Sequence, residues 1–351
     1  MKKRGKGVIL TVLGVLIFVL CRTFILAQNE NNIILNGRKM NSPSIKSYID
    51  IGRDEKTFEA SPKDKNNREF TIRGIYLGQP EEELISDFGE PDRKDLSEYG
   101  FDWYIYNKDY RKYIQVGVKD GTVVGIYTNA DNWKSAKGIS IGIKRPSVER
   151  LLGEPLQGIT KNRCTHLISG QDEKGIYLID NSYVSIFYDI HNKNTVTALQ
   201  IIDENIELSL DGYYGNYNEE LRDSFEKQIF DLANSIRARN NLRPLVWSNK
   251  ARMSSRKHSQ DMADNNFFSH TNLKKESPFG RMEKEGIVYV SAAENIAAGV
   301  ASAIEAHEGW MNSAGHRVNI LGKFETLGAG VGYNSSSEYK YYYTQNFFAG
   351  R

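Results

Sequence analysis

The segments IYLGQPEEELISDFGEP (75–91) and ISIGIKRPSVERLLGEP (139–155) carry one pattern twice, at a constant offset of 64 residues. Gly78 matches Gly142, Leu84 matches Val148, Phe88 matches Leu152, and Gly89-Glu90-Pro91 matches Gly153-Glu154-Pro155. Each copy reads as a short strand, a turn and one amphipathic helix, stopped by Gly-x-Pro. Strand-like runs follow both copies: FDWYIY, YIQVGVKDGTVVGIYT, YVSIFYD and NTVTALQII alternate in polarity and turn at Asp120-Gly121 or near 192–194. A unit this small cannot bury its apolar face alone, so the two halves are expected to pack into one duplicated α+β domain over 70–204.

The repeat also removes a false lead. GISIG at 138–142 fits the Gly-x-Ser-x-Gly elbow of serine hydrolases. The sister copy reads GIYLG at 74–78, with Tyr76 where Ser140 stands. The glycines therefore mark a turn, and Ser140 is not read as a nucleophile.

Ahead of the repeat the chain is not globular. Lys2, Lys3, Arg4 and Lys6 precede an uncharged run from Gly7 to Cys21, then Arg22 and a second apolar patch to Ala27. A basic flank before an apolar stretch stays cytoplasmic while the rest is exported. Counted through Ala27, with Arg22 snorkelling, the stretch approaches the ~20 residues of a membrane span. An uncleaved anchor is the preferred reading of 1–27, with a signal peptide cleaved near Ala27 left open; the bulk is then extracellular, on a single-pass anchor or secreted. Leu20 before Cys21 is not the small residue a lipoprotein signal resembles. Residues 28–69 are polar without a sustained period and read as a linker. With Cys21 in the membrane segment, Cys164 has no intrachain partner, so the exported part is expected to fold on core burial alone. Net charge is +2, which gives no case for nucleic acid as a partner.

After a polar stretch, 205–218, read as a linker, the C-terminal domain (219–351) opens with a helix over 219–240. Phe225, Ile229, Leu232, Ala233 and Ile236 form its apolar stripe. A second helix is expected over 249–265, with Ala251, Ser255, His258 and Met262 on one face, and a third over 301–312. ETLGAGVGYN and YKYYYTQNFFAG should close the chain as a hairpin. HEGWM at His307 is half of a zincin motif, but Met311 stands where the second histidine belongs, so His307 reads as an exposed helix residue. His258 reads as a core histidine, and His166 and His191 belong to no constellation.

What remains is His270 in FFSHT, Glu294 in AAENIAAG, and His316 in WMNSAGHRVNIL. Glu294 lies among small apolar residues, where a carboxylate is costly unless paired. Two imidazoles and a carboxylate converging through the fold would supply that pairing. Such a set can hold a divalent metal such as zinc, or act as an acid/base pair. It can equally stitch the fold together.

The segment from Glu226 to Phe348 resembles the CAP (SCP-like) superfamily, carried by NSIRARNNLRPLVW, RKHSQDMADNNFFSHT, AENIAAG, WMNSAGHRVNIL, LGAGVGY and YTQNFF in the family's order. It is most similar to the disulfide-free bacterial branch. The resemblance implies a C-terminal α-β-α sandwich with a cleft of two His and two Glu. Residue by residue, the histidines fall on His270 and His316 and one glutamate on Glu294. The second glutamate position, three after Trp310, is Ser313 here, which departs from the four-residue set. Asn295 and Gln345 are further candidates to line the cleft, Asn295 reading more simply as a backbone tie. The anchor, linker and duplicated domain together resemble the CAP-associated region of Bacillus-type surface proteins.

The expectation is a membrane-anchored extracytoplasmic protein that binds a lipid, cell-wall component or protein partner. A metal-assisted hydrolase using His270, Glu294 and His316 as catalytic residues is the alternative, and an envelope scaffold a third. The hydrolase lacks a nucleophile, Ser313 being a candidate only through its nearness to His316.

Overall fold

The two repeats fold alike. Helix α1 (Glu81–Phe88) and helix α2 (Arg145–Leu152) keep the offset of the sequence pattern, and each ends on a glycine, Gly89 at φ 79° and Gly153 at φ 89°. A side chain is strained at such a φ, which is why glycine recurs at this stop. The segment before each helix is not a strand. It is a turn bonded to a strand: Gly78 N–H donates to Val123 O (2.8 Å) and Gly142 N–H to Val196 O (2.9 Å). Ser140 sits in the second of these turns, its carbonyl accepting from Ile143 N–H, and the helix starts only at Arg145.

This computed structural model describes residues 67–350, preceded by a two-residue strand pair, β1 (Ile34–Leu35) with β2 (Arg38–Lys39). The expected membrane segment, most of the 28–69 linker and Cys21 lie outside the described residues. Among the described residues no helix is long and apolar enough to cross a membrane, and Cys164 is a free, half-buried thiol.

The strands of both repeats form one antiparallel sheet. Its members are β3 (Arg93–Leu96), β4 (Asp102–Tyr106), β5 (Ile114–Lys119), β6 (Thr122–Thr128), β9 (Lys174–Ile179), β10 (Ser182–Asp189) and β11 (Thr195–Asp203). The order β3-β4-β5-β6-β11-β10-β9 sets the last strand of one repeat beside the last strand of the other. A separate hairpin, β7 (Gly158–Lys161) with β8 (Cys164–Leu167), hangs beyond the β9 edge. Leu84 of α1 and Val148 of α2 cover one sheet face together with Val116, Ile126 and Ile201.

The other face is covered by the C-terminal domain. Phe101, Trp103, Tyr127, Phe187 and Ile202 join Phe225, Ile229, Leu232 and Ile304 in one continuous core. The last four belong to α4 (Glu219–Arg239) and α7 (Ala303–Met311). The apolar stripe foreseen for α4 is buried, but so are Ser224, Gln228, Asp231, Asn234 and Arg237, because the helix runs between two sheets. Asp231 accepts hydrogen bonds from Arg93 (2.5 Å), Asn107 (2.9 Å) and Tyr110 (2.8 Å) of the first domain.

The stretch 205–218 is not a free linker. It begins within α3 (Glu204–Ser209), and its tyrosines then dock on the second domain. Tyr214 donates to Gly299 O (3.1 Å), and Tyr217 stacks on Tyr333 with ring centroids 4.3 Å apart. Gly and Asn around these rings mimic linker composition, while the rings themselves supply the docking surface.

The C-terminal sheet is β12 (Val246–Trp247), β14 (Thr326–Tyr333), β15 (Tyr341–Gly350) and β13 (Tyr289–Ala298), in that spatial order. Helices α5 (Asn249–Asp264) and α6 (Pro278–Lys284) lie on one side, and α4, α7 and α8 (Ala314–Ile320) on the other, giving the three-layer α-β-α sandwich. Alternate glycines of β14 bring α5 unusually close. A Cβ on Gly330 would lie 2.0 Å from Arg256 N and one on Gly328 2.1 Å from Arg252 N. Ser255 and Ser259 use this proximity to donate to Gly328 O (2.8 Å) and Gly330 O (3.0 Å).

Gly330→Ala should therefore cost roughly 3 kcal/mol through overpacking against backbone. Gly350→Ala, where a Cβ meets nothing within 4 Å, should stay within about 0.5 kcal/mol. Urea unfolding of the two variants checks this, and equal midpoints would remove the close-packing argument.

Candidate functional site

Strand β13 presents Glu294 and Asn295 in succession, so their side chains leave on opposite faces of the sheet. Glu294 enters the layer of α5 and α6. The His270 ring N–H at Nδ1 donates to its Oε1 (2.9 Å), and Arg281 Nη2 donates to its Oε2 (2.7 Å). Arg281 Nη1 also donates to the carbonyls of His270 (2.8 Å) and Glu276 (2.9 Å), fixing the loop that carries His270. One residue before that histidine, Ser269 O accepts from His258 Nε2 (2.9 Å). The carboxylate is 3% exposed and His270 5% exposed.

These partners explain a carboxylate among alanines. Burial opposes the charge, but the His270 hydrogen bond and the Arg281 charge outweigh it, and the Glu294 carboxyl titrates below its usual range. His258 behaves oppositely. Burial is its largest influence and pushes the imidazole down to about 4, against the pull of Glu294. The core reading of His258 agrees with its 1% exposure. Arg281 is the partner that sequence reasoning missed. It lies in RMEK without motif or period, and the only available signal was the demand of a buried acid for a cation.

On the opposite face, Asn295 Nδ2 donates to His316 O (3.2 Å) and to Gln345 Oε1 (3.0 Å), while Asn319 Nδ2 donates to Asn295 Oδ1 (2.8 Å). Asn295 thus ties helix α8 to the sheet. His316 and Gln345 are fully buried beside it. Ser313, half-exposed, precedes α8 without a side-chain capping bond. The fold brings His270 and Glu294 together, and the backbone carbonyl of His316 is tied to the sheet through Asn295.

This arrangement does not fit zinc held by His270, Glu294 and His316. The Arg281 guanidinium already neutralises the carboxylate, and the position of the second carboxylate is Ser313. Among the described residues no group of three His, Cys, Asp or Glu side chains is placed to hold a metal ion.

The first domain reaches this region directly. Ile190 N–H donates to Asn312 Oδ1 (3.1 Å), His191 Nε2 to Asn312 O (2.9 Å), and Arg317 Nη2 to Asp189 (2.8 Å). The turn after β10 therefore grips both flanks of Ser313 to His316, and His191, read as belonging to no constellation, is an interdomain contact. His307 is likewise not exposed: it is 1% exposed because its helix faces the first domain. Burial, with the Arg239 charge, pushes it down to about 3. Its neighbour Glu308, pushed up to about 7 by burial, accepts from Tyr127 (2.7 Å) across the interface.

Residues 77–213 match the CAP-associated N-terminal family, and residues 230–347 match CAP, the cysteine-rich secretory protein family. The chain is 30% identical over 295 residues to YlbC of Bacillus subtilis (strain 168), described as an uncharacterized membrane protein, covering 78% of this chain and 82% of that one. YkwD of the same strain, described as uncharacterized, is 41% identical over 124 residues, 35% of this chain and 47% of that one. The crystal structure of an extracellular protein containing a SCP domain from Bacillus anthracis str. Ames matches with a TM-score of 0.69 at 28% identity, over 85% of this chain and 100% of that one. A cysteine-rich secretory protein from Staphylococcus aureus shares the fold with a TM-score of 0.63 at 19% identity, over 80% and 94%.

The buried neutral His258 gives a pH signature. Its folded pKa of about 4 lies below the unfolded value near 6.5, so the unfolded chain binds the proton first as pH falls. Stability should be full above about pH 6.5 and decline toward pH 4, by up to ~3 kcal/mol from this residue. His258→Gln should be less stable at pH 7 yet show a shallower decline. Parallel curves for the two proteins in chemical unfolding across pH 4–7 would sink the assignment.

Proposed function

The chain belongs to the CAP, or cysteine-rich secretory protein, family, with a CAP-associated domain ahead of the CAP domain, and from that premise we propose an extracytoplasmic binding protein held at the membrane. The observation that carries the binding reading is the state of Glu294. Both carboxylate oxygens are engaged, by His270 and by Arg281, in a nearly solvent-free layer. A general base has to reach the proton it abstracts, and this carboxylate is spent on the fold. The ligand is an envelope component: a lipid, a cell-wall polymer or another protein.

The apolar run from Gly7 to Ala27 after a basic flank supports single-pass anchoring. The description of YlbC as a membrane protein and of the Bacillus anthracis neighbour as extracellular supports the same placement. The chain should stay with membranes through carbonate extraction and be degraded by protease added outside intact protoplasts. Recovery in the soluble fraction, or full protection, would refute the topology.

Breaking the Glu294 pair tests binding against catalysis. Glu294→Gln leaves the Arg281 guanidinium buried without its counter-charge and should destabilise the full chain by about 3–5 kcal/mol. Zinc should leave the melting temperature of the wild-type chain unchanged. Ligand captured by the chain from envelope extracts should return chemically intact by mass spectrometry. Cleaved products that depend on His270 or Glu294, or a zinc-induced shift lost in His316→Ala, would favour the hydrolase instead.

A further inference from the structure

A cavity of about 120 Å³ lies between the two domains, away from the His270–Glu294 pair. Its apolar wall is Ile159, Ile176, Phe187, Ile202 and Leu210, from the first domain and the joining segment. Its charged end collects Glu98, Lys161, Lys174, Glu207 and Glu305, the last from α7 of the CAP domain.

Three carboxyls face two lysines here. Lys161 pairs with Glu207 at 2.5 Å and Lys174 with Glu305 at 2.6 Å. Glu207 also accepts from the Tyr99 hydroxyl, and Glu305 from that of Tyr213, both at 2.7 Å. Both ammonium groups are thus matched, and the third carboxyl, Glu98, is left over. It is 7% exposed and hydrogen-bonded by its own backbone N–H and by Ser302, yet its Oε2 has no hydrogen-bond partner among the described residues. Burial, with Glu305 and Glu207 nearby, pushes it up to about 8. Gly215 packs so closely on the main chain of Glu98 that a Cβ there would lie 2.0 Å from Glu98 O. A buried carboxyl oxygen without a donor is uncommon and costly.

We infer that this cavity takes the end of a small amphiphile bearing a primary amine, its ammonium on Glu98 and its apolar body against Ile176, Phe187 and Ile202. At neutral pH Glu98 largely keeps its proton; a neutral primary amine takes that proton, and the resulting ammonium donates to the carboxylate it leaves behind. A carboxylate head would add a negative group beside Glu207 and Glu305, and an alcohol cannot take the Glu98 proton. The volume is comparable with the ~150 Å³ of an engineered cavity that admits benzene, so the buried part of the ligand is about five or six heavy atoms. Residues of both domains line the site, and the bound molecule bridges them. The inference rests on the binding reading above and deepens it by naming a ligand class.

The test uses the full chain in lipid nanodiscs, titrated with n-butylammonium in calorimetry, with n-butanol and butyrate as controls. Saturable butylammonium binding is expected, weakened at least tenfold in Glu98→Gln and abolished in Leu210→Trp, which fills the cavity from the joining segment. Butyrate should not bind. Equal affinity for butanol and butylammonium, an unaltered Glu98→Gln, or a site holding water only would overturn the proposal. If Glu98→Gln fails to fold, the Leu210→Trp result and the ligand series decide. Intact envelope ligand recovered from a chain that ignores butylammonium would end this inference and leave the binding reading standing. A cleaved ligand would end that reading while a saturable amine site survived.

Discussion

The seven-stranded sheet of the first domain has one face that only the second domain can cover. Trp103, Tyr127, Phe187 and Ile202 project from it into the same core as Phe225, Ile229 and Leu232 of α4. Hydrophobic burial supplies the bulk of such an interface, and buried polar contacts set its register. Asp231, in the middle of α4, collects Arg93, Asn107 and Tyr110 from the first domain. Near the helix end, Arg239 donates to the carbonyls of Asn129 and Thr197. A buried acid with several donors tolerates little sliding, because each displaced partner leaves an unpaired group behind.

That docking reaches the CAP domain's own site. Helix α8, which carries His316, is tied to Asn295 of the sheet and to Asp189 of the first domain, and His191 holds Asn312 just ahead of it. The donors to both oxygens of Glu294, His270 and Arg281, lie inside the CAP domain by comparison. Glu294 is thus paired within its own domain, while the helix that carries His316 also bonds to the neighbouring domain.

Much of this was legible in the residues. The repeat located α1 and α2 because helix, glycine stop and proline recur in step, and the spacing of Phe225, Ile229 and Ile236 located α4 within a residue at its end. The C-terminal hairpin followed from alternation alone. Less legible was whatever depends on a distant segment. His307 reads as exposed because its helix shows no obvious inward histidine face, and only the first domain makes that face an interior. Arg281 carries no period or motif. The segment 205–218 has linker composition, and its tyrosines disclose their role only once Tyr333 and Gly299 are in place. Pairing His270 with Glu294 followed from the cost of a buried charge.

Because α4 serves two sheets at once, inheritance of the two halves is tied together. A relative that exchanged its first domain for another of the same fold would present a foreign surface to Asp231 and Arg239, and would have to rewrite the outward side of α4 to match. Recombination at the joining segment is therefore penalised, and the pair should travel through evolution as one unit.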